Sequence, residues 1–175
     1  LYGGEKVNDY VFGFQQLPSK GDVVFITGGE KDVLSLSAHG FNAICFNSET
    51  AQIPENIIEG LQLRFQHIII LYDTDETGVR EAKRQTDAFA QYKVLSLTLP
   101  LQGGKSEKDI SDFFALGNEA KDLKVLLNDM FTNMYAQTMM ILQSCEIDYD
   151  NPPDASKSVV AVNGVPLGTQ DNLFC

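Results

Sequence analysis

Asp73 and Asp75 are the residues best placed to do chemistry, because they stand two apart at the end of an unbroken apolar run, Ile68-Ile69-Ile70-Leu71-Tyr72. On extended backbone, side chains two apart leave the same side. Their carboxylates then converge on one point, a site for a hard cation such as Mg²⁺, which takes a few carboxylate oxygens and keeps water and substrate phosphate in its shell. A second cluster, Gly29-Glu30-Lys31-Asp32, comes after Val23-Val24-Phe25-Ile26-Thr27 and Gly28. Adjacent glycines let backbone approach a ligand closely, and a helix starting there favours anionic groups at its N-terminus. A third, with Lys105, Lys108 and Asp109, lies in a loop opened by Gly103-Gly104. Each cluster also has an ordinary structural reading: Asp in a polar turn, Gly at a strand-to-helix junction, Asp109 as a helix N-cap.

Positioning these clusters requires strands and helices in alternation. Val23–Thr27 is a β-branched and aromatic run with breakers on both sides, and Glu30–His39 has helical spacing closed by Gly40. Ala43–Phe46 reads as a second strand; Pro54 then opens a helix that puts Ile57, Ile58, Leu61 and Phe65 on one face. Ile68–Tyr72 is the third strand, unalternating and so buried on both faces. A helix over Glu76–Gln91 follows, keyed by Val79, Ala82, Thr86 and Phe89, with Arg80, Lys83 and Arg84 on its exposed side. Tyr92–Leu99 is a fourth strand ended by Pro100, and a short helix comes after Asp109. Such alternation predicts a parallel sheet covered by helices, with ligands bound beyond the carboxyl ends of its strands.

Length and composition bound the rest. At 175 residues the chain is about one domain with an appendage. Its termini, Leu1 and the run to Cys175, read as cut from a longer protein. With no apolar run of membrane-spanning length and three cysteines lacking CxxC spacing, it is expected to act away from the membrane, in the cytoplasm, without a zinc site or disulfide frame. The net charge of −11 argues against tight non-specific nucleic-acid binding by this segment alone. Seven acidic against two basic residues between Glu119 and Asp154 place much of that excess on a solvated face outside the clusters.

The ordered set, Gly29-Glu30-Lys31-Asp32, then Asp73-Thr74-Asp75 with Gly78, then Lys108-Asp109, resembles the Toprim domain of bacterial-type and mobile-element DNA primases and primase-helicases. The resemblance implies an α/β, Rossmann-like fold with an about four-stranded, mainly parallel sheet covered by helices and a helical C-terminal extension. It divides the chain into a lead-in (1–20), the Toprim domain (21–118), the helical extension (119–150), and a linker with the start of a following domain (151–175). Asn163–Thr169 resembles the approach to a P-loop ATPase of the kind fused to such primases. By resemblance, Asp73, Asp75 and Asp109 bind Mg²⁺ or Mn²⁺, and Gly29, Lys105, Lys108 and Arg80 contact nucleotide or nucleic acid. The implied partners are a single-stranded DNA template, nucleoside triphosphates and a helicase ATPase domain; the implied activity is nucleotidyl transfer for primer synthesis.

One position departs from the family pattern. A Glu is expected directly after the first strand, where this chain has Gly28, and Glu30 lies two residues on. Either Glu30, with Lys31, takes the catalytic place, or the domain is a scaffold that binds metal and nucleic acid. Other Toprim enzymes, nucleases and topoisomerases, remain alternatives, as does a haloacid-dehalogenase phosphatase, since Asp73-Thr74-Asp75-Glu76-Thr77 also fits that family's DxDxT pattern.

Overall fold

The first and third apolar runs become the two central strands of a parallel sheet. The computed structural model describes residues 10–144, 159–162 and 165–169. The chain divides into two units, Leu1–Val125 and Leu126–Cys175. In the first, β1 (Gly21–Thr27), α1 (Glu30–Ala38), β2 (Asn42–Cys45), α2 (Glu55–Gln62), β3 (Phe65–Leu71), α3 (Glu76–Ala88), β4 (Leu95–Ser96) and α4 (Ile110–Ala115) follow one another. The sheet order is β2-β1-β3-β4, and every pairing is parallel. Val24, Phe25 and Ile26 of β1 and Ile69 and Ile70 of β3 are fully buried, as strands covered on both faces must be.

Local chemistry explains the element ends. Helix α1 closes in a Schellman motif: Phe41 N–H donates to Leu36 O and Gly40 N–H to Ser37 O, both at 3.0 Å, with Gly40 at φ +83°. The segment read as a lead-in is stitched to the sheet edge, since Phe12 and Cys45 exchange two backbone hydrogen bonds of 2.9 and 3.1 Å. Arg64 donates to the carbonyls of Leu17 and Pro18 and lies over the rings of Phe14 and Phe65.

Three expected elements differ in detail. Pro54 precedes α2 as its N-cap, and the helix ends at Gln62, so Phe65 starts β3 and does not belong to the helical face of Ile58 and Leu61. The fourth strand shrinks to Leu95–Ser96, because Ala90–Tyr92 forms a 3₁₀ turn and Lys93 takes a left-handed φ of +53°. Helix α3 is rotated: Gly78, Glu81 and Gln85 face inward while Val79 is 47% exposed. The cause is contact with the preceding turn. A Cβ at Gly78 would stand 2.1 Å from Asp73 O, so only glycine lets this face approach. Gln85 then satisfies its buried amide on Ala51 O at 2.9 Å.

Helix α5 (Ala120–Ser144) leads out of the first unit, where Leu123 is fully buried. In the second unit β5 (Val159–Val162) and β6 (Val165–Thr169) pair antiparallel. Linker residues 151–158 and the loop at 163–164 lie outside the described residues. None of the described helices is long and apolar enough to cross a membrane.

Two alanine substitutions should move stability in opposite directions. Gly78→Ala forces a backbone contact that no rotamer relieves and should cost about 3 kcal/mol in urea unfolding. Gly60→Ala, inside α2 with no atom within 4 Å of the added Cβ, should gain about 0.5–1 kcal/mol. Changes of the same sign would contradict this account of α3.

Candidate metal centre

Strands β1 and β3 are neighbours, yet the chain leaves β1 to form β2 on one side and returns to form β3 on the other. This reversal opens a crevice at their carboxyl ends. Thr27 pairs with Leu71, which brings Gly28-Gly29 beside the Tyr72-Asp73 segment. Three carboxylates meet there. Asp73 follows β3, Asp32 occupies the first turn of α1, and Asp109 caps α4; one oxygen from each lies within 4.8 Å of the others. Asp109 Oδ1 accepts from Asp112 N at 2.8 Å, and Ser111 Oγ donates to Asp32 Oδ1 at 2.9 Å. Thr74 N–H donates to Lys108 O at 2.7 Å, which ties the Asp73 turn to the strand of chain carrying Asp109.

Burial, and crowded like charge beyond it, govern the electrostatics. Burial, then the negative charge of Asp109, pushes the Asp32 carboxyl up to about 6, against the opposing Ser111 hydrogen bond and Lys31 charge. Lysines supply part of the compensation. Lys31 Nζ lies 2.7 Å from Asp109 Oδ2, and Lys108 Nζ contacts Asp73 Oδ2 and stands 3.6 Å from Asp75 Oδ2. Their hydrogen bonds to Asp109 and Asp73, respectively, raise both ammonium groups above their usual range. A fourth carboxylate enters from the β2–α2 loop: Glu49 Oε1 accepts from Asp73 N at 3.0 Å. Burial, and the charge of Asp73 beyond it, pushes Glu49 up to about 7 while the bond from Asp73 N opposes. An all-oxygen, all-carboxylate donor set fits a hard divalent cation, and the incomplete neutralisation by lysine leaves charge for one to balance.

The model of the family described as Toprim-like matches residues 25–114, a span that contains every residue of this cluster. The chain belongs to the Toprim-like family. Among solved structures, one similar chain comes from bacteriophage T7 lagging-strand DNA polymerase interacting with primase domains of two gp4 subunits bound to an RNA/DNA hybrid and dTTP. It matches at 23% identity and a TM-score of 0.48, with 70% of this chain and 61% of that chain covered, so the alignment spans under two thirds of that chain's length. No curated protein matches in sequence.

Within the Toprim-like domain, the structure brings together Asp73 and Asp109 from the expected metal ligands and adds Asp32. Asp75 lies outside this trio. It caps α3, its Oδ1 accepting from Gly78 N at 3.0 Å, and that bond first, with Lys108 after it, holds its carboxyl below the usual range. Glu30 borders the same cleft, about 420 Å³ in volume and shared with Gly28, Asp32, Glu49, Asp73 and Asp109, but its Oε1 accepts from Tyr10 OH at 2.6 Å. Gly29 is the extended N-cap of α1. Lys105 stands exposed on a loop closed by paired hydrogen bonds between the backbones of residues 103–104 and 107. Arg80 pairs with Glu81 at 3.3 Å.

Asp32 and Glu49 escaped the sequence-based assignment of ligands for different reasons. Asp32 had a signal: it precedes Leu36 by one helical turn, on the side of α1 that packs inward. Glu49 had none, sitting in a polar loop whose path only the fold reveals.

Folding raises the Asp32 carboxyl above its unfolded value. Its contribution to stability is therefore fully present below about pH 4, the unfolded value, and is lost as the pH rises through about 6. A displacement of that size is worth at most about 3 kcal/mol. In EDTA at pH 8, Asp32→Asn should therefore be more stable than the parent by about 1–3 kcal/mol, with the gap closing by pH 4. Mg²⁺ should narrow the gap at pH 8 by stabilising the parent. Thermal unfolding across this range checks it; a gap independent of pH would contradict the electrostatic account.

Proposed function

We propose that this Toprim-like domain is the nucleotidyl-transfer module of a DNA primase or primase-helicase, joining nucleoside triphosphates on a single-stranded DNA template. The observation that carries this reading is the meeting of Asp32, Asp73 and Asp109, from three separate elements, at the crevice between β1 and β3. Those three side chains would hold Mg²⁺ or Mn²⁺. When bound, such a cation offsets the negative charge that develops on phosphate oxygens during in-line transfer.

The chain's own residues have complementary tasks. Ser111 orients Asp32 through its hydrogen bond, and the Thr74–Lys108 backbone link keeps Asp73 facing Asp109. Lys31, 64% exposed at its side chain, is free to turn from Asp109 toward a phosphate once the carboxylates have another counter-charge. Lys108 can do the same from Asp73, and in this reading Lys105, exposed on the adjoining loop, is a further phosphate contact. Asp75 fixes the start of α3 and so the turn that presents Asp73. With a net charge of −11, this segment leaves most of the template grip to flanking regions, a role suited to a fused or associated helicase ATPase domain. We read residues 151–175, including the β5–β6 pair, as the start of that following domain.

A catalytically silent scaffold is the second reading, favoured by the lack of any side chain at Gly28 and by the engagement of Glu30 with Tyr10. Incorporation of labelled ribonucleotides on single-stranded DNA separates the two, with the full-length protein beside its Asp73→Asn and Asp109→Asn variants. Active parent and variants reduced roughly 100-fold or more are expected. A folded, template-binding parent that makes no product at any Mg²⁺ or Mn²⁺ concentration would establish the scaffold.

A further inference from the structure

Gly28 leaves a gap at the end of β1, and the side chain of Glu49 fills it. A Cβ built on Gly28 would stand 2.7 Å from Glu49 Oε1, 2.8 Å from its Cγ and 3.1 Å from its Cδ. Any side chain at position 28 and the present placement of Glu49 are therefore mutually exclusive. Glu49 starts beyond β2, on the far side of β1 from β3, and crosses the end of β1 to accept the Asp73 N–H at 3.0 Å. Its carboxyl thus lies within the reach that a glutamate rooted at position 28 would itself have.

That hydrogen bond does not require a carboxylate, since the amide oxygen of Gln would accept it equally. A carboxylate offers a cation a harder donor and a second oxygen, here beside Asp73, and among the described residues no Lys or Arg forms an ion pair with it.

We infer that Glu49, entering through the gap at Gly28, supplies the β1-side carboxylate of the acidic cleft, an acidic group transposed from the strand end to the neighbouring loop and working with Asp73 on the divalent cation. The inference rests on the reading of this cleft as a cation-dependent nucleotidyl-transfer site, and the test separates the two.

The experiment measures Mn²⁺ affinity by electron paramagnetic resonance, and primer synthesis in parallel, on the full-length protein and four variants. Glu49→Gln, which keeps the acceptor for Asp73 N–H and removes the charge, should weaken Mn²⁺ binding about 10-fold or more and lower synthesis with it. Gly28→Ala should reproduce that loss with little change in thermal stability, because the atoms it displaces are the end of a flexible side chain. The exchange variant Gly28→Glu with Glu49→Gly should recover most of the lost affinity. Asp73→Asn is the control for the site itself.

Parent-like Mn²⁺ affinity in Glu49→Gln, alongside loss in Asp73→Asn, would overturn the role of Glu49 and leave the site reading intact. Parent-like affinity in Asp73→Asn as well would overturn both. An exchange variant that folds but binds no better than Glu49→Gln would overturn the transposition. If the exchange variant does not fold, Gly28→Ala decides, and parent-like affinity there would count against the inference.

Discussion

Three carboxylates within 4.8 Å of one another are the constraint around which this domain is arranged. Like charges at that separation repel strongly in a partly buried cleft, and the surrounding chain compensates them piecemeal. Asp32 sits in the first turn of α1 and Asp109 caps α4, so both draw on the positive ends of helix dipoles. Ser111 and the Asp112 amide donate to the same two side chains, and Lys31 and Lys108 bring positive charge to Asp109 and Asp73. Burial, with the charge of Asp109 beyond it, still pushes the Asp32 carboxyl up to about 6. A divalent cation is the chemical species that would offset that charge.

This arrangement also separates what the sheet contributes from what the loops contribute. Pairing of Thr27 with Leu71 sets the two strand ends side by side, which is a backbone matter decided by buried apolar runs. The facing of Asp73 and Asp109 depends instead on Thr74 N–H reaching Lys108 O, with Gly103 at φ +75° packed against the Thr74 carbonyl. Segments beyond the strand ends, the turn after β3 and the starts of α1 and α4, thus carry the carboxylates on a sheet that supplies position.

Legibility in the sequence followed the same division. Val23–Thr27 was readable as a strand from its β-branched run and flanking breakers, and Ile68–Tyr72 as one buried on both faces because it does not alternate, although β3 starts earlier, at Phe65, and ends at Leu71; Gly40 and Asp109 were readable because their terminating and capping roles are local. The phase of α3 was not, since Val79 looks like a core residue and the inward face is made by Gly78 and Gln85, chosen for close approach and a buried hydrogen bond. The fourth strand was shortened by a left-handed Lys93 that no propensity announces. Asp73 and Asp109 could be singled out from spacing and resemblance, and Asp32 from helical period with more care. Glu49 could not, because its place depends on a missing side chain at Gly28, on a different element.

The chain belongs to the Toprim-like family, and its own carboxylates decide whether the cleft holds a cation. The most direct measurement is a diffraction map from crystals of the protein soaked in Mn²⁺, collected for anomalous scattering. The account predicts a peak bounded by oxygens of Asp32, Asp73 and Asp109, with Lys31 or Lys108 turned away from its present carboxylate partner. A well-ordered cleft with no peak there, or a peak at Asp75 and Glu30 with the trio unchanged, would contradict it.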